Sequence, residues 1–312
     1  MKRWMVAVVL SLLAVSSAQA GQALTPKKSV KKPNPKPQIQ TLAVQAAQPR
    51  PSYEAYAVAD YGSGQVLEGQ NMHLRWPQAS LTKLMLALVV EEKIADGELR
   101  PTDAVVVSKR AEGMGGTQVF LKAGEIFTLD ELMKAALVES ANDAAYAIAE
   151  HVAGSADGFV ALMNRKALAL GMTDTEFHCV HGLPPANGGS DNLTTCGDMI
   201  RLARAVLQHP RILDWTSIQQ TTFRNGTLVM TNKNRLVGRL LGVDGLKTGF
   251  TRRAGFNIVA TGRNGDRRLI IVVLGSPEAR MRDEFAMEKF REHLRVQPEE
   301  HVEAVEATAA GG

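Results

Sequence analysis

Two cysteines are all that the 312-residue chain contains, and after its first twenty residues it has no apolar run long enough to cross a bilayer. His178-Cys179-Val180-His181 suggests a metal cluster, but no second ligand pair stands at zinc-like spacing. No metal and no cofactor is therefore expected. Acidic residues are missing from the first fifty positions, which hold eight basic ones, so the overall +4, less those eight, leaves −4 for the rest. A mildly acidic folded part argues against a nucleic-acid binder, which concentrates basic charge on its folded domain. No internal repeat is present.

What the chain does contain divides it into four stretches. Lys2 and Arg3, the apolar run Trp4 to Val15, and Ala18-Gln19-Ala20 read as a secretory signal peptide over residues 1–20. Residues 21–52 hold six prolines, five lysines and no acidic residue, a composition that cannot bury a core and reads as an extended linker. Residues 53–296 are long enough for one sizeable domain or two packed lobes. Residues 297–312 are acidic and alanine-rich and read as a disordered tail, with no lipidation cysteine and no cationic amphipathic helix, so no stable membrane anchor is expected. The product is expected to be exported, periplasmic or extracytoplasmic, and soluble. In that oxidising setting Cys179 and Cys196, which bracket a loop holding Pro184, Pro185 and two adjacent glycines, are expected to pair. Closing a loop of about 18 residues would stabilise the fold by roughly 3 kcal/mol.

Along the domain, Tyr53 to Asn71 alternates around Tyr61-Gly62-Ser63-Gly64 and reads as a hairpin, whereas Leu81 to Lys93 is apolar on nearly every side and reads as a buried helix. Thr128-Leu129-Asp130-Glu131 is a capping box that opens another helix. Further helices are expected near 143–153, 156–170, 195–208 and 280–294, with Gly154 and Gly171 as C-terminal stops. Asn225-Gly226 and Asn264-Gly265 are hairpin turn signals. Strands at both ends with helices between them imply an α/β fold: an antiparallel sheet flanked by helices, with an all-helical subdomain inserted and a site between the two.

Three short motifs carry chemistry. Ser80-Leu81-Thr82-Lys83 places a hydroxyl and an amine one helical turn apart. A lysine held in a dry pocket near another cation loses its proton easily, and can then take the serine proton. Ser29-Val30-Lys31-Lys32 matches the same pattern, but in the linker, where nothing could desolvate the lysine. Ser140-Ala141-Asn142 lies between two expected helices, where Ser140 can relay a proton to a leaving nitrogen and Asn142 can hold a substrate amide; Ser190-Asp191-Asn192 is a rival triplet. Lys247-Thr248-Gly249 precedes strand-like sequence, which suits an edge that pairs with an extended peptide while its side chains grip a carboxylate. Gly249 would let the substrate backbone approach, and the amides of Ser80 and Phe250 would form an oxyanion hole.

These three motifs in order, together with Gly116-Thr117-Gln118 and His181-Gly182-Leu183-Pro184, resemble the low-molecular-mass penicillin-binding proteins, the serine D-Ala-D-Ala carboxypeptidases, from about Tyr53 to Leu294. The resemblance implies a β-lactamase/DD-peptidase-like fold, an acyl-enzyme at Ser80 with Lys83 as base, and Ser140 and Asn142 as the second element. It also implies that Lys247 and Thr248 hold the terminal carboxylate, with Arg282 and Lys233 as further cations there. The implied activity is removal of the terminal D-alanine from peptidoglycan stem pentapeptides, with β-lactams as covalent inhibitors. The alternative is a D-Ala-diaminopimelate endopeptidase that opens crosslinks. A β-lactamase, which would need an S-D-N triplet nearer the nucleophile, and a non-catalytic wall-binding protein rank below both.

Overall fold

The computed structural model describes residues 52–185 and 188–294, so the signal peptide, nearly all of the linker and the tail lie outside the described residues. The chain opens with a hairpin, β1 (Ala55–Asp60) and β2 (Val66–Gln70), then the short β3 (Trp76–Pro77) and a 3-10 turn over Ala79–Leu81 that leads into α1 (Thr82–Ala95). The inserted helical part follows: β4 (Ala104–Val106), α2 (Lys109–Glu112), β5 (Ile126–Thr128), α3 (Leu129–Lys134), a π-helical turn over Ala135–Glu139, α4 (Asn142–Ala153) and α5 (Ala156–Ala169). It continues through β6 (Leu193–Thr194), α6 (Cys196–Val206), α7 (Pro210–Thr216) and the hairpin β7 (Gln220–Phe223) and β8 (Leu228–Thr231). The chain then returns to the sheet with β9 (Val243–Thr251), β10 (Gly255–Asn264) and β11 (Arg267–Ser276), and α8 (Ala279–Leu294) ends the described part.

The main sheet has the antiparallel order β2-β1-β11-β10-β9, which leaves β9 on an open edge. Its central strands are buried on both faces, so β11 reads Leu-Ile-Ile-Val-Val-Leu without polar alternation. The pleat sorts these residues between two cores. Ala57, Val259, Ile270, Val272 and Leu274 face the helical part, while Val58, Ile258, Ile271 and Val273 pack under Ala286, Phe290 and Leu294 of α8. The sheet and inserted helical part therefore have the expected arrangement. Helix α1 is buried from Thr82 to Glu91, as its all-round apolar sequence requires, and it carries the first motif into the centre of the molecule.

Local signals acted as read. Thr128 and Glu131 form the reciprocal capping box of α3, and Gly154 and Gly171 take left-handed φ values of 73° and 69° at the ends of α4 and α5. One turn is displaced: the β10–β11 connection is Gly265-Asp266, because Asn264 pairs with Arg267 and is the last rung of the ladder. No described helix is long and apolar enough to cross a membrane.

The expected disulfide does not form, since Cys179 and Cys196 are both free. Cys196 is the first residue of α6 and is fully buried in the helical core, where burial pushes its thiol pKa up and away from thiolate chemistry. Cys179 lies in the loop above α1, where its sulfur accepts the Gly182 N–H at 3.2 Å and donates toward the Leu183 carbonyl at 3.7 Å. The proline- and glycine-rich loop between them is tied down instead by Asn192. Its Oδ1 accepts the His178 and Cys179 amides at 2.7 and 3.0 Å, and its Nδ2 donates to Thr82 Oγ1 and the Cys179 carbonyl.

Candidate active site

Ser80 lies in the 3-10 turn and Lys83 one turn later on α1. Ala79, directly before the serine, holds a φ of 49°, a conformation rare outside glycine and concentrated at functional sites. Lys83 is completely buried, and its Nζ has three neighbours: Ser80 Oγ at 3.1 Å, Asn142 Oδ1 at 2.7 Å and the His181 carbonyl at 3.1 Å. Burial pushes its pKa down to about 7, against the opposing pull of Cys179 and Asp143. The neighbours suit the neutral amine. Two of them only accept hydrogen bonds and take its two N–H groups, which turns the remaining lone pair toward the one hydroxyl present.

The second motif is shaped by a break in helix geometry. After α3 the chain widens into the π-helical turn, where the Ala141 N–H donates to Ala135 O at 3.0 Å, and Ser140 leaves it with a left-handed φ of 70°. Such π-turns recur at functional sites because they eject a residue from the helical face. Here the ejected residue is Ser140, on the cavity wall. Asn142 sits behind it, only 2% exposed, with its Nδ2 donating to Gly115 O at 2.8 Å and its backbone N–H donating to Thr117 O. Its amide therefore links Lys83 to the Gly115 segment. Asp143 is fully buried and accepts the amides of Val119, Leu121 and Ala144, which fixes the 117–121 segment across the mouth of α4.

The third motif lies within β9, where a Cβ on Gly249 would stand 3.0 Å from Ser80 N and 2.8 Å from Gln78 O. Glycine at 249 thus keeps the Ser80 N–H open beside the strand edge, as an oxyanion site requires. Thr248, Gly249 and Phe250 line the cavity, and Phe250 stacks on Phe256 with ring centres 4.2 Å apart. Lys247 stands behind the wall at 1% exposure, donating to the Thr248 carbonyl at 3.1 Å, so any grip it has on a carboxylate is exerted through its field and through Thr248. Burial, then the nearby charges of Lys83, Arg282 and Lys233, hold its pKa well below the usual lysine range. The cavity between the sheet edge and the helical part measures about 360 Å³.

The sequence model described as D-alanyl-D-alanine carboxypeptidase, peptidase family S11, matches residues 42–278. The chain belongs to that family. It is 38% identical over 235 residues to the D-alanyl-D-alanine carboxypeptidase DacC of Escherichia coli K12, covering 73% of this chain and 58% of that protein. To DacF of Bacillus subtilis 168 it is 34% identical over 241 residues, covering 74% of this chain and 61% of the relative. The chain thus spans about three fifths of the length of these two relatives. Among solved structures it is similar to penicillin-binding protein D2 of Listeria monocytogenes in the ampicillin-bound form, with a TM-score of 0.69 and 32% identity over 76% of this chain and 96% of that one.

In this S11 family member the two outlying cations meet carboxylates of their own. Lys233 lines the cavity with its Nζ 2.5 Å from Glu139 Oε1. Arg282 lines it too, 4% exposed, with Nε and Nη2 on Asp283 Oδ1 at 2.9 and 2.6 Å and Nη1 near the Asn257 carbonyl. The rival triplet is structural: Asn192 clamps the loop over α1, and Ser190 is exposed. Sequence reasoning missed the His181 carbonyl, since a backbone oxygen leaves no side-chain signal. The glycine after it was the available hint: a Cβ on Gly182 would fall 1.9 Å from Ala79 O, so only glycine lets this loop close on the serine turn. It also missed Arg235, a cavity-lining residue outside every motif.

Proposed function

We propose that the chain is an exported serine-type D-alanyl-D-alanine carboxypeptidase. The reading rests on the buried Lys83, whose Nζ lies 3.1 Å from Ser80 Oγ and whose pKa burial lowers to about 7, within reach of the neutral form that can take the serine proton. In the proposed reaction, Ser80 Oγ attacks the carbonyl carbon of the penultimate D-alanine while its proton passes to Lys83. The carbonyl oxygen becomes an oxyanion held by the amides of Ser80 and Phe250. As the C–N bond breaks, the proton returns through Ser140 to the leaving nitrogen and D-alanine departs. Water then hydrolyses the Ser80 ester with Lys83 again as base, restoring the enzyme. Thr248, backed by Lys247, orients the terminal carboxylate, with Arg282 and Lys233 adding positive field.

β-Lactams carry a strained amide in place of that peptide bond and are proposed to acylate Ser80. Export and signal-peptide removal belong to the same reading, supported by the substrate's position outside the cytoplasm and by the composition of residues 1–20. The test is purified protein given a pentapeptide stem and read by mass spectrometry. Release of D-alanine that Ser80→Ala abolishes is the expected result, together with Ser80-dependent covalent labelling by a fluorescent penicillin. A protein that binds the stem and releases nothing overturns the reading.

A further inference from the structure

Asn192 is 3% exposed and uses every hydrogen bond its side chain can make, since a carboxamide has two acceptor lone pairs and two donors. Oδ1 takes the amides of His178 and Cys179, and Nδ2 donates to the Cys179 carbonyl at 2.8 Å and to Thr82 Oγ1 at 2.9 Å. Its backbone carbonyl accepts the Gln78 N–H at 3.0 Å. These bonds fall on the two segments that bring the reacting pair together. On one side, the lone pair that Thr82 Oγ1 gives to Asn192 leaves the hydroxyl proton for Ala79 O, at 2.7 Å, and this bond closes the turn that holds Ser80. Ala79 keeps a left-handed φ there, a strain that persists only where the surroundings over-determine it. On the other side, Cys179 opens the loop whose Gly182 N–H returns to the Cys179 sulfur and whose His181 carbonyl takes an N–H of Lys83.

We propose that Asn192 is a positioning residue for acylation, one carboxamide that fixes both the turn aiming the Ser80 hydroxyl and the loop that covers Lys83 and supplies its carbonyl acceptor. This rests on the serine-peptidase reading above. Among the described residues Asn192 bonds to the neighbours of Ser80 and Lys83 and to neither of the two, so it acts through them. Without its amide the Thr82 hydroxyl is free to turn away from Ala79, and the 178–183 loop loses the three bonds that fix its base. A loosened loop admits water to Lys83, whose lowered pKa is due first to burial. Cys179 and Asp143 act to raise that pKa, while Lys83 in turn disfavours the charged forms of His181 and Lys247.

The test separates the two branches. The second-order rate of Ser80 labelling by a fluorescent penicillin is measured against pH for wild type, Asn192→Ala, Thr82→Val and the double variant, each below its melting transition. All four keep Cys179, Asp143, His181 and Lys247, so a moved midpoint reports the loop. Asn192→Ala is expected to raise the midpoint by about one pH unit and to lower the high-pH plateau about tenfold or more. Thr82→Val cuts only the serine branch, and is expected to lower the plateau with the midpoint unchanged. In the double variant the two plateau losses should combine to less than their product, because both substitutions break one link. A variant that is only less stable loses rate with its folded fraction and keeps its midpoint. An unmoved midpoint in Asn192→Ala, a wild-type plateau in either single variant, or losses that multiply in full overturn the inference and leave the serine-peptidase reading standing. Should Asn192→Ala fail to fold, the plateau of Thr82→Val still decides. A wild type that takes no penicillin defeats that reading and this inference with it.

Discussion

The Nζ of Lys83 stands 2.7 Å from Oδ1 of Asn142, and this contact decides which way the lysine lone pair points. With Asn142 and the His181 carbonyl consuming the two N–H groups of a neutral amine, the hydroxyl of Ser80 is the only donor left to meet the third position. In the proposed reaction the protonation state of Lys83 therefore sets whether Ser80 can be activated.

Acylation should rise with pH across neutrality. Lys83 has its pKa lowered to about 7, so below that value the amine is charged and cannot accept the Ser80 proton, and above it the base is free. The second-order rate of labelling by a fluorescent penicillin is expected to climb roughly tenfold per pH unit below the pKa and to level above it. A flat profile between pH 5 and 9 would remove Lys83 from the role of base.

Stability should follow the same group with a calculable sign. The folded-state pKa lies below the ordinary 10.5, so between about 7 and 10.5 the unfolded chain binds more protons and stability rises with pH; below about 7 the lysine is charged in both states and the full cost of burying it is reached. Lys83→Met removes that cost. It is expected to abolish acylation and to flatten the dependence of unfolding free energy on pH over that window, read by urea denaturation at several pH values.

Gly249→Ala should damage catalysis more than folding. Its Cβ would stand 3.0 Å from Ser80 N, pushing β9 away from the nucleophile and obstructing one oxyanion donor. A loss of about 10²–10³ in acylation rate is expected with a cooperative melt retained. An alanine variant that acylates at the wild-type rate would show that the oxyanion sits elsewhere.

Asp143→Ala should act on structure first. Its carboxylate is fully buried and accepts the amides of Val119, Leu121 and Ala144, and removing it strands those donors at a cost of about 3 kcal/mol or more. Reduced stability with faster amide hydrogen exchange across 117–121 is the expected outcome. Unchanged exchange there would mean that the segment is held by other contacts.

The two thiols should be distinguishable in the native protein. Cys179 is partly exposed and free, and Cys196 is buried and free, so an alkylating reagent is expected to add once before unfolding and twice after it, without any reductant. A native mass two daltons below the reduced one would restore the disulfide.

Helices α1, α3, α4, α5, α6 and α8, the capping box, the glycine stops and the sheet-plus-insertion architecture were legible because each follows from a local period or a local turn requirement; the short α2 and α7 were not read. That Ser80 and Lys83 meet was legible, because a spacing of three places both on one helical face, and Ser140 was placed between helices, where it lines the same cavity. The partners of those groups were less so. Asn142 was read as a substrate ligand, and the contacts its amide makes to Lys83 and Gly115 left no sequence signal; nor did the place of Lys247 behind Thr248. The Cys179–Cys196 pairing failed because loop composition says nothing about where two thiols point, and one of them was needed in the core.

By itself the sequence determined that the hydroxyl of Ser80 and the amine of Lys83 share one helix face and the order of the three motifs, since 3.6-residue geometry fixes that spacing. Only the tertiary structure decided which atoms surround Lys83, that Gly182 and Gly249 must yield space to Ala79 and Ser80, and that Arg235 faces the cavity unpaired among the described residues. Those are contacts between segments far apart in the chain, and a burial that neutralises a lysine exists only once the segments have met.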